Sequence, residues 1–192
     1  MTTSLINPNI NFILLCKTYL TNKNENPLAR SAVVIIFNLS LLQNLMVIAS
    51  NKELTSQDYF NKAIEMESLG HSAQAIRHYD IAIKLQPNFA DAYNNKGNIL
   101  TKLGKYKEAI DSYNLAIKYQ PERYEPYLNK GAALADLGEY QGAINSFDLA
   151  IKYQPERYEA YNNKGVALRS LGKYQEAEEV FNKAKALRTP KF

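Results

Sequence analysis

Apolar and small residues recur along residues 56–191 at helical spacing, and this pattern itself repeats every 34 residues. In each unit the fourth, eighth and eleventh places form one apolar stripe, and the twentieth, twenty-fourth and twenty-seventh places form a second. Spacings of four and seven residues place side chains on one helical face, so each unit is predicted to contain two helices. The units are 56–89, 90–123, 124–157 and 158–191.

Glycine and proline residues lie in each unit where the predicted helices end. Glycine after a helix accepts the left-handed conformation that closes it, whereas proline cannot continue the hydrogen-bond ladder. A single helix pair cannot bury its apolar faces alone, so the units are predicted to stack into a continuous core. The punctuating residues are Gly70, Gly104, Gly138 and Gly172 after the first helices, and Pro87, Pro121 and Pro155 after the second.

The order of aromatic, glycine, leucine, alanine and proline residues in these units resembles the tetratricopeptide repeat. The resemblance covers residues 56–191 and implies an all-α solenoid, a right-handed superhelix of four helix–turn–helix units. Two departures from the family are tyrosine where many members have tryptophan, and lysine at the seventh place where many have leucine. We expect that lysine to lay its stem along the helix and to keep its ammonium group in water.

The last unit is polar where the others are apolar. Glu178 and Lys185 occupy the twenty-first and twenty-eighth places, which are isoleucine in the three preceding units. Terminal units with a polar outer face keep solenoids soluble, so we expect the repeat array to end here.

Composition adds mainly exclusions. The chain has 23 basic and 19 acidic residues, interspersed along its length, which does not suggest a nucleic-acid partner. Cys16 is the only cysteine, so no intramolecular disulfide or thiolate-rich metal site is possible. His71 and His78 lack the neighbours of a catalytic or metal site, and no glycine-rich phosphate loop is present. We therefore predict a protein that is not an enzyme and that has no metal or cofactor.

Asparagine occupies the sixth place of every unit, on the side of the first helix away from its apolar stripe. The resemblance implies that first helices line a concave groove, where some family members use such asparagines to bond the backbone of an extended peptide. A carboxamide suits this role because it offers both an acceptor and donors. The alternative is that the asparagines bond within or between repeats and set their pitch. The candidate groove residues are Asn61, Asn95, Asn129 and Asn163, with Asn94, Asn98, Asn162, Lys102 and Arg169 near them.

The predicted function is therefore that of a protein-interaction module or adaptor that binds an extended peptide or a partner helix. Chaperone-tail binding is not expected, because the basic cluster that it needs is only partly present. The second places of three units are instead acidic, at Asp91, Glu125 and Glu159. The alternatives are a structural protein that assembles with copies of itself, as a homo-oligomer, and an accessory subunit of a larger complex.

Residues 1–50 form an apolar N-terminal segment, an additional helical region with only four charged residues. Residues 31–51 carry no charge and are long enough to cross a bilayer, and Lys23 and Arg30 precede them. This favours a signal or membrane anchor, and hence a membrane-associated or exported location. Polar side chains interrupt the run, so an amphipathic helix packed on the first repeat of a cytoplasmic protein is the alternative.

Overall fold

The computed structural model describes residues 26, 35–36, 38–39, 41–43 and 53–188. The chain divides into two compact units, Met1–Glu53 and Leu54–Phe192. In the first unit, the described residues between 35 and 43 are helical and exposed, and the remainder of the predicted segment 31–51 lies outside the described residues. Within the described part of the chain, no helix combines the length and apolar composition needed to span a membrane.

The second unit consists, in its described part, of helices that pack in sequential pairs. Each helix contacts its own partner and then the first helix of the next pair, which confirms the predicted all-α solenoid architecture. The pairs are α1 (Ser56–Ser68) with α2 (Ser72–Leu85), α3 (Ala90–Lys102) with α4 (Tyr106–Tyr119), α5 (Tyr124–Asp136) with α6 (Tyr140–Tyr153), and α7 (Tyr158–Ser170) with α8 (Tyr174–Arg188).

An aromatic ring packed on a glycine joins the two helices of a pair. In the third repeat, Phe147 of α6 lies against Gly131 of α5, where a Cβ atom would stand 2.5 Å from the ring carbon Cε1. The helices can approach this closely because glycine has no side chain. The same contact recurs between Tyr113 and Gly97 and between Phe181 and Gly165.

The core is continuous from one repeat to the next. Ala143 and Phe147 of α6 belong to the same buried cluster as Ala167 and Leu168 of α7. Each second helix therefore buries its apolar stripe against both its own partner and the following first helix, as expected for stacked repeats.

The predicted glycine turns are confirmed. Gly104 has φ of +72°, the Lys105 N–H donates to the Leu100 carbonyl at 2.9 Å, and the Gly104 N–H donates to the Thr101 carbonyl at 2.9 Å. These two bonds form the Schellman cap, which satisfies the last carbonyls of the helix. The same left-handed glycine closes the other first helices, at Gly70, Gly138 and Gly172.

Tyrosine at the fourth place has a role that tryptophan could not perform in the same way. The Tyr127 hydroxyl donates to the Pro121 carbonyl at 2.9 Å, and its ring stacks on Tyr153 with centroids 5.4 Å apart. Tyr93 makes the corresponding bond to Pro87 at 3.3 Å. The hydroxyl therefore ties the start of one repeat to the proline turn that precedes it.

We predict that Tyr127→Phe lowers the free energy of unfolding by about 1 kcal/mol, because a nearly buried hydrogen bond is lost while the stacked ring remains. Tyr93→Phe is the matched control, and its effect should be smaller because its bond is longer and its ring is less buried. Urea unfolding followed by circular dichroism measures both. Equal effects of the two substitutions would contradict this role of the hydroxyl.

Lysine at the seventh place has an ion-pair partner in two repeats, which the sequence analysis did not predict. The Lys96 ammonium lies 2.6 Å from an Asp80 carboxylate oxygen, and Lys164 lies at the same distance from Asp148. Each pair joins a first helix to the second helix of the preceding repeat. Sequence periodicity did not reveal these contacts, because the two partners belong to different units.

Both outer faces of the repeat array are polar. In the second repeat the tenth place is Ile99, which is only 1% exposed. In the first repeat the same place is Glu65, which is exposed. At the other end, Glu178 and Lys185 are exposed, as expected, whereas the equivalent Ile144 is buried in the third repeat. Charged side chains therefore occupy places in the first and last repeats that are apolar and buried in an inner repeat.

Candidate functional site

Three of the predicted asparagines meet where the second and third repeats join. The Asn129 Nδ2 group of α5 donates to Asn94 Oδ1 at 3.2 Å and to Asn98 Oδ1 at 2.9 Å, both on α3. Asn94 is 8% exposed, while Asn98 and Asn129 are half-buried. We call Asn94, Asn98 and Asn129 the central asparagine cluster.

Two hydroxyl groups from the repeat core complete this cluster. The Tyr113 hydroxyl donates to Asn98 Oδ1 at 2.9 Å and lies 3.0 Å from the Thr101 hydroxyl. Burial raises the pKa of Tyr113 to about 12, although the Thr101 hydroxyl opposes the shift. Tyr113 therefore stays a neutral donor at physiological pH, and it orients the Asn98 carboxamide.

This arrangement leaves defined polar atoms available. Asn98 Oδ1 accepts bonds from both Tyr113 and Asn129, and no described residue accepts a bond from Asn98 Nδ2. Asn129 Nδ2 donates two bonds, and no described residue donates a bond to Asn129 Oδ1. A donor on α3 and an acceptor on α5 thus belong to carboxamides that hydrogen bonds hold in place, and a peptide unit offers the complementary acceptor and donor.

The other sixth-place asparagines have different surroundings. Asn61 is exposed and accepts a bond from Gln57 at 3.0 Å. Asn95 accepts a bond from Asn94 at 3.3 Å. Asn163 is half-buried, and no described side chain hydrogen-bonds it. The four equivalent asparagines therefore do not form one uniform ladder.

The remaining predicted residues lie outside the cluster. The Lys102 ammonium pairs with Glu67 of α1 at 2.8 Å. Asn162 is exposed on α7. Arg169, near the end of α7, lines a surface cleft of about 360 Å³ with Val166, Ser170 and Tyr174. The structure thus brings together Asn94, Asn98 and Asn129. Lys102, Asn162 and Arg169 make no described hydrogen bond to this cluster.

Sequence reasoning missed one charged group on this surface. Arg123 precedes α5 and pairs with Asp91 of α3 and with Glu125 of its own helix. Partial burial lowers the pKa of the Arg123 guanidinium, but the bonds to the two carboxylates outweigh it and raise the pKa above its ordinary value. The sequence did show an arginine two residues after a proline, and acidic residues at the second places. Which of these residues form ion pairs, however, depends on how the repeats stack.

The histidines contribute no candidate site. His71 lies at the start of α2, and the His78 ring stacks on Tyr59 with centroids 6.0 Å apart. Among the described residues, no group of histidine, cysteine, aspartate and glutamate side chains is arranged to hold a metal ion.

Comparison with known families decides the classification. Two family models, both described as tetratricopeptide repeat, match residues 90–123 and 128–190, which together make up just over half of the chain. The chain is a tetratricopeptide repeat protein. The family inferred from the repeat pattern is therefore confirmed. No curated protein matches this tetratricopeptide repeat protein.

Solved structures share its fold. A crystal structure of MamA is 22% identical with a TM-score of 0.68, covering 76% of this chain and 83% of MamA. MamA from Desulfovibrio magneticus RS-1 is 20% identical with a TM-score of 0.67, covering 93% of both chains. The first TPR of Spaghetti (RPAP3), solved with the HSP90 peptide SRMEEVD, is 20% identical with a TM-score of 0.60, covering 62% of this chain and 94% of that one. At these identities the likeness shows the fold alone.

Proposed function

We propose that this tetratricopeptide repeat protein is a non-catalytic adaptor that binds an extended segment of a partner protein. The binding surface is the one formed by the first helices α1, α3, α5 and α7, which we call the first-helix surface. Tetratricopeptide repeat domains generally serve protein–protein interaction, and the proposal adds where and how this chain engages its partner.

The central asparagine cluster carries the proposal. Asn98 offers donors and Asn129 offers an acceptor, and both carboxamides are held in position by other bonds. Polar groups fixed in advance lose little conformational freedom when a ligand binds, which favours affinity. An extended backbone segment presents the matching C=O and N–H groups at every residue.

A similar fold supports the same mode of binding. The first TPR of Spaghetti was solved with a bound peptide, so a similar fold can hold a peptide. The rival proposal, end-to-end assembly of copies, receives less support because Glu65 and Glu178 place charge on the two outer faces. A particle mass that rises with concentration in light scattering would favour assembly.

We predict that Asn98→Asp weakens peptide binding at least about tenfold. Aspartate keeps an oxygen that accepts from Tyr113 and Asn129, but it lacks the Nδ2 donors, so a bound carbonyl loses its partner. The full chain is first used to select binders from a random library of acetylated and amidated decapeptides. Fluorescence anisotropy of a neutral selected peptide at high salt, which screens the added charge, then measures affinity.

Asn114→Ala is the matched control, because Asn114 is an exposed asparagine on the second helix α4. It should bind like the wild type. Circular dichroism checks that both variants remain folded. Equal affinity of the wild type and Asn98→Asp would place the peptide elsewhere, and failure of the library to yield any binder would reject the proposal.

A further inference from the structure

Along the second, sixth, ninth and thirteenth places of the repeats, the first-helix surface has one basic residue (Lys102) and four acidic residues (Asp91, Glu125, Asp136 and Glu159), although the chain as a whole carries a net charge of +4. Two cationic groups at or near these places are already engaged, since Lys102 pairs with Glu67 and Arg123 is shared by Asp91 and Glu125. Two further carboxylates, Asp136 and Glu159, form no ion pair with any described residue. The local charge is therefore opposite in sign to that of the molecule.

Glu159 lacks an ion-pair partner because two nearly identical segments between repeats place their arginines differently. Arg123 and Arg157 occupy the same position in the repeated sequence KYQPERYE. Arg123 pairs with carboxylates, whereas Arg157 lies over the Tyr124 ring at 5.0 Å and donates to Gln154 at 2.8 Å. Glu159, half-buried in the first turn of α7, thus has no ion-pair partner among the described residues.

Aliphatic side chains flank the central asparagine cluster. The ninth place of each repeat is Asn98 in the second repeat, but Ile64 in the first and Val166 in the fourth. Ile64 is 43% exposed and Val166 is 53% exposed. Exposed aliphatic side chains at equivalent positions on either side of a polar contact suit a ligand that carries apolar side chains near both ends.

Arg169, a further basic residue of α7, does not neutralise the negative charge at Glu159. The two residues are ten positions apart on α7, which corresponds to about 15 Å along the helix. That separation exceeds the distance over which exposed charges interact strongly at physiological salt.

We infer that the ligand is an internal segment of a partner protein that carries a lysine or arginine for Glu159 and aliphatic residues for Ile64 and Val166. This inference rests on the proposed function and specifies its ligand class. A segment that ends in a free, acidic carboxyl terminus is disfavoured, because its charge would meet Glu159 and find the neighbouring Arg123 already paired.

Selection from positional-scanning libraries tests this inference. The full chain is offered two nonapeptide libraries, one acetylated and amidated and the other with free carboxyl termini, together with the peptide SRMEEVD. The capped library should yield sequences enriched in lysine or arginine and in leucine, isoleucine or valine, with aspartate and glutamate depleted. SRMEEVD should bind at least tenfold more weakly than the selected peptides.

Single substitutions separate the contribution of Glu159 to the basic preference from that of Val166 to the aliphatic preference. Glu159→Gln should lower the enrichment of lysine and arginine about fivefold, and Glu156→Gln, which changes an exposed residue of the preceding turn, should leave it unchanged. Val166→Ser should reduce the aliphatic preference and retain the basic one.

Enrichment of acidic free termini, or a basic preference that Glu159→Gln does not alter, would overturn this inference while leaving peptide binding intact. Failure of both libraries to yield any binder would reject the proposed function as well.

Discussion

A valine at position 131 is expected to lower the free energy of unfolding of the repeat domain by about 2–3 kcal/mol. The Cβ of any side chain here would stand 2.5 Å from Cε1 of Phe147 and 2.7 Å from Cδ1, which is closer than packed atoms allow. Valine adds two methyl groups beyond this atom, so α5 and α6 must separate or the ring must leave its position. Phe147 is 1% exposed, so it has no free space to occupy.

The first repeat shows why valine is the informative substitution. It has Ala63 where the later repeats have glycine, with Tyr79 as the facing ring. One methyl group can therefore be accommodated when a helix pair adjusts, and Gly131→Ala should cost less than Gly131→Val.

Gly142→Ala is the matched control for this experiment. It lies in α6 of the same repeat, but a Cβ there would be 3.5 Å from the nearest Leu134 carbon, an ordinary contact. Alanine should stabilise the protein by about 0.5 kcal/mol, because it reduces the freedom of the unfolded chain. Urea unfolding followed by circular dichroism measures all three variants. A Gly131→Val protein as stable as the wild type would show that ring-on-glycine packing does not limit the approach of the helices.

Raising the pH from 8 to 11 is expected to cost about 1.4 kcal/mol of unfolding free energy for each of two buried tyrosines. Burial raises the pKa of Tyr79 to about 12 from the ordinary value of 10.0, and burial likewise raises the pKa of Tyr113 to about 12. At a pH between 10 and 12, each of these tyrosines loses its phenolic proton in the unfolded chain but keeps it in the native protein. The stabilisation is therefore complete below pH 10 and is lost as the pH rises towards 12.

Phenylalanine variants isolate this contribution from other groups that titrate at alkaline pH. Phe147 and Phe181 occupy the same place in the third and fourth repeats, so the fold accepts phenylalanine there. The double variant Tyr79→Phe, Tyr113→Phe should lose about 3 kcal/mol less than the wild type between pH 8 and pH 11. Tyr174→Phe, which changes a 69% exposed ring, should keep the wild-type pH dependence. Identical pH profiles for the wild type and the double variant would contradict the role of the buried hydroxyls.

The helix pairs and their turns were predictable from the sequence for a local reason. The spacing of Tyr127, Gly131 and Leu134 specifies one face of α5, and Gly138 specifies its end, so no distant residue is needed to predict either. Repetition of the same pattern then indicates stacking, because no single pair can bury its own apolar surface.

The candidate site was predictable only as a set of residue types at one place in the repeat. The sixth-place asparagines have the same local sequence pattern, yet they differ because their neighbours on the preceding repeat differ. Asn129 meets Asn94 and Asn98, whereas the corresponding residues in front of Asn163 are Leu128 and Ala132. Which carboxamide is held and which is free depends on contacts between residues more than 30 positions apart.

By itself, therefore, the sequence determined the family, the helix pairs, the glycine turns and the polar face of the last repeat, since each follows from periodicity or from the conformational limits of single residues. Only the tertiary structure decided that Asn98 and Asn129 form an oriented pair, that Lys96 and Lys164 are ion-paired, and that Arg123 and Arg157 differ. The physical reason is that hydrogen bonds and ion pairs act over a few ångströms, and stacking alone brings residues of different repeats within that distance.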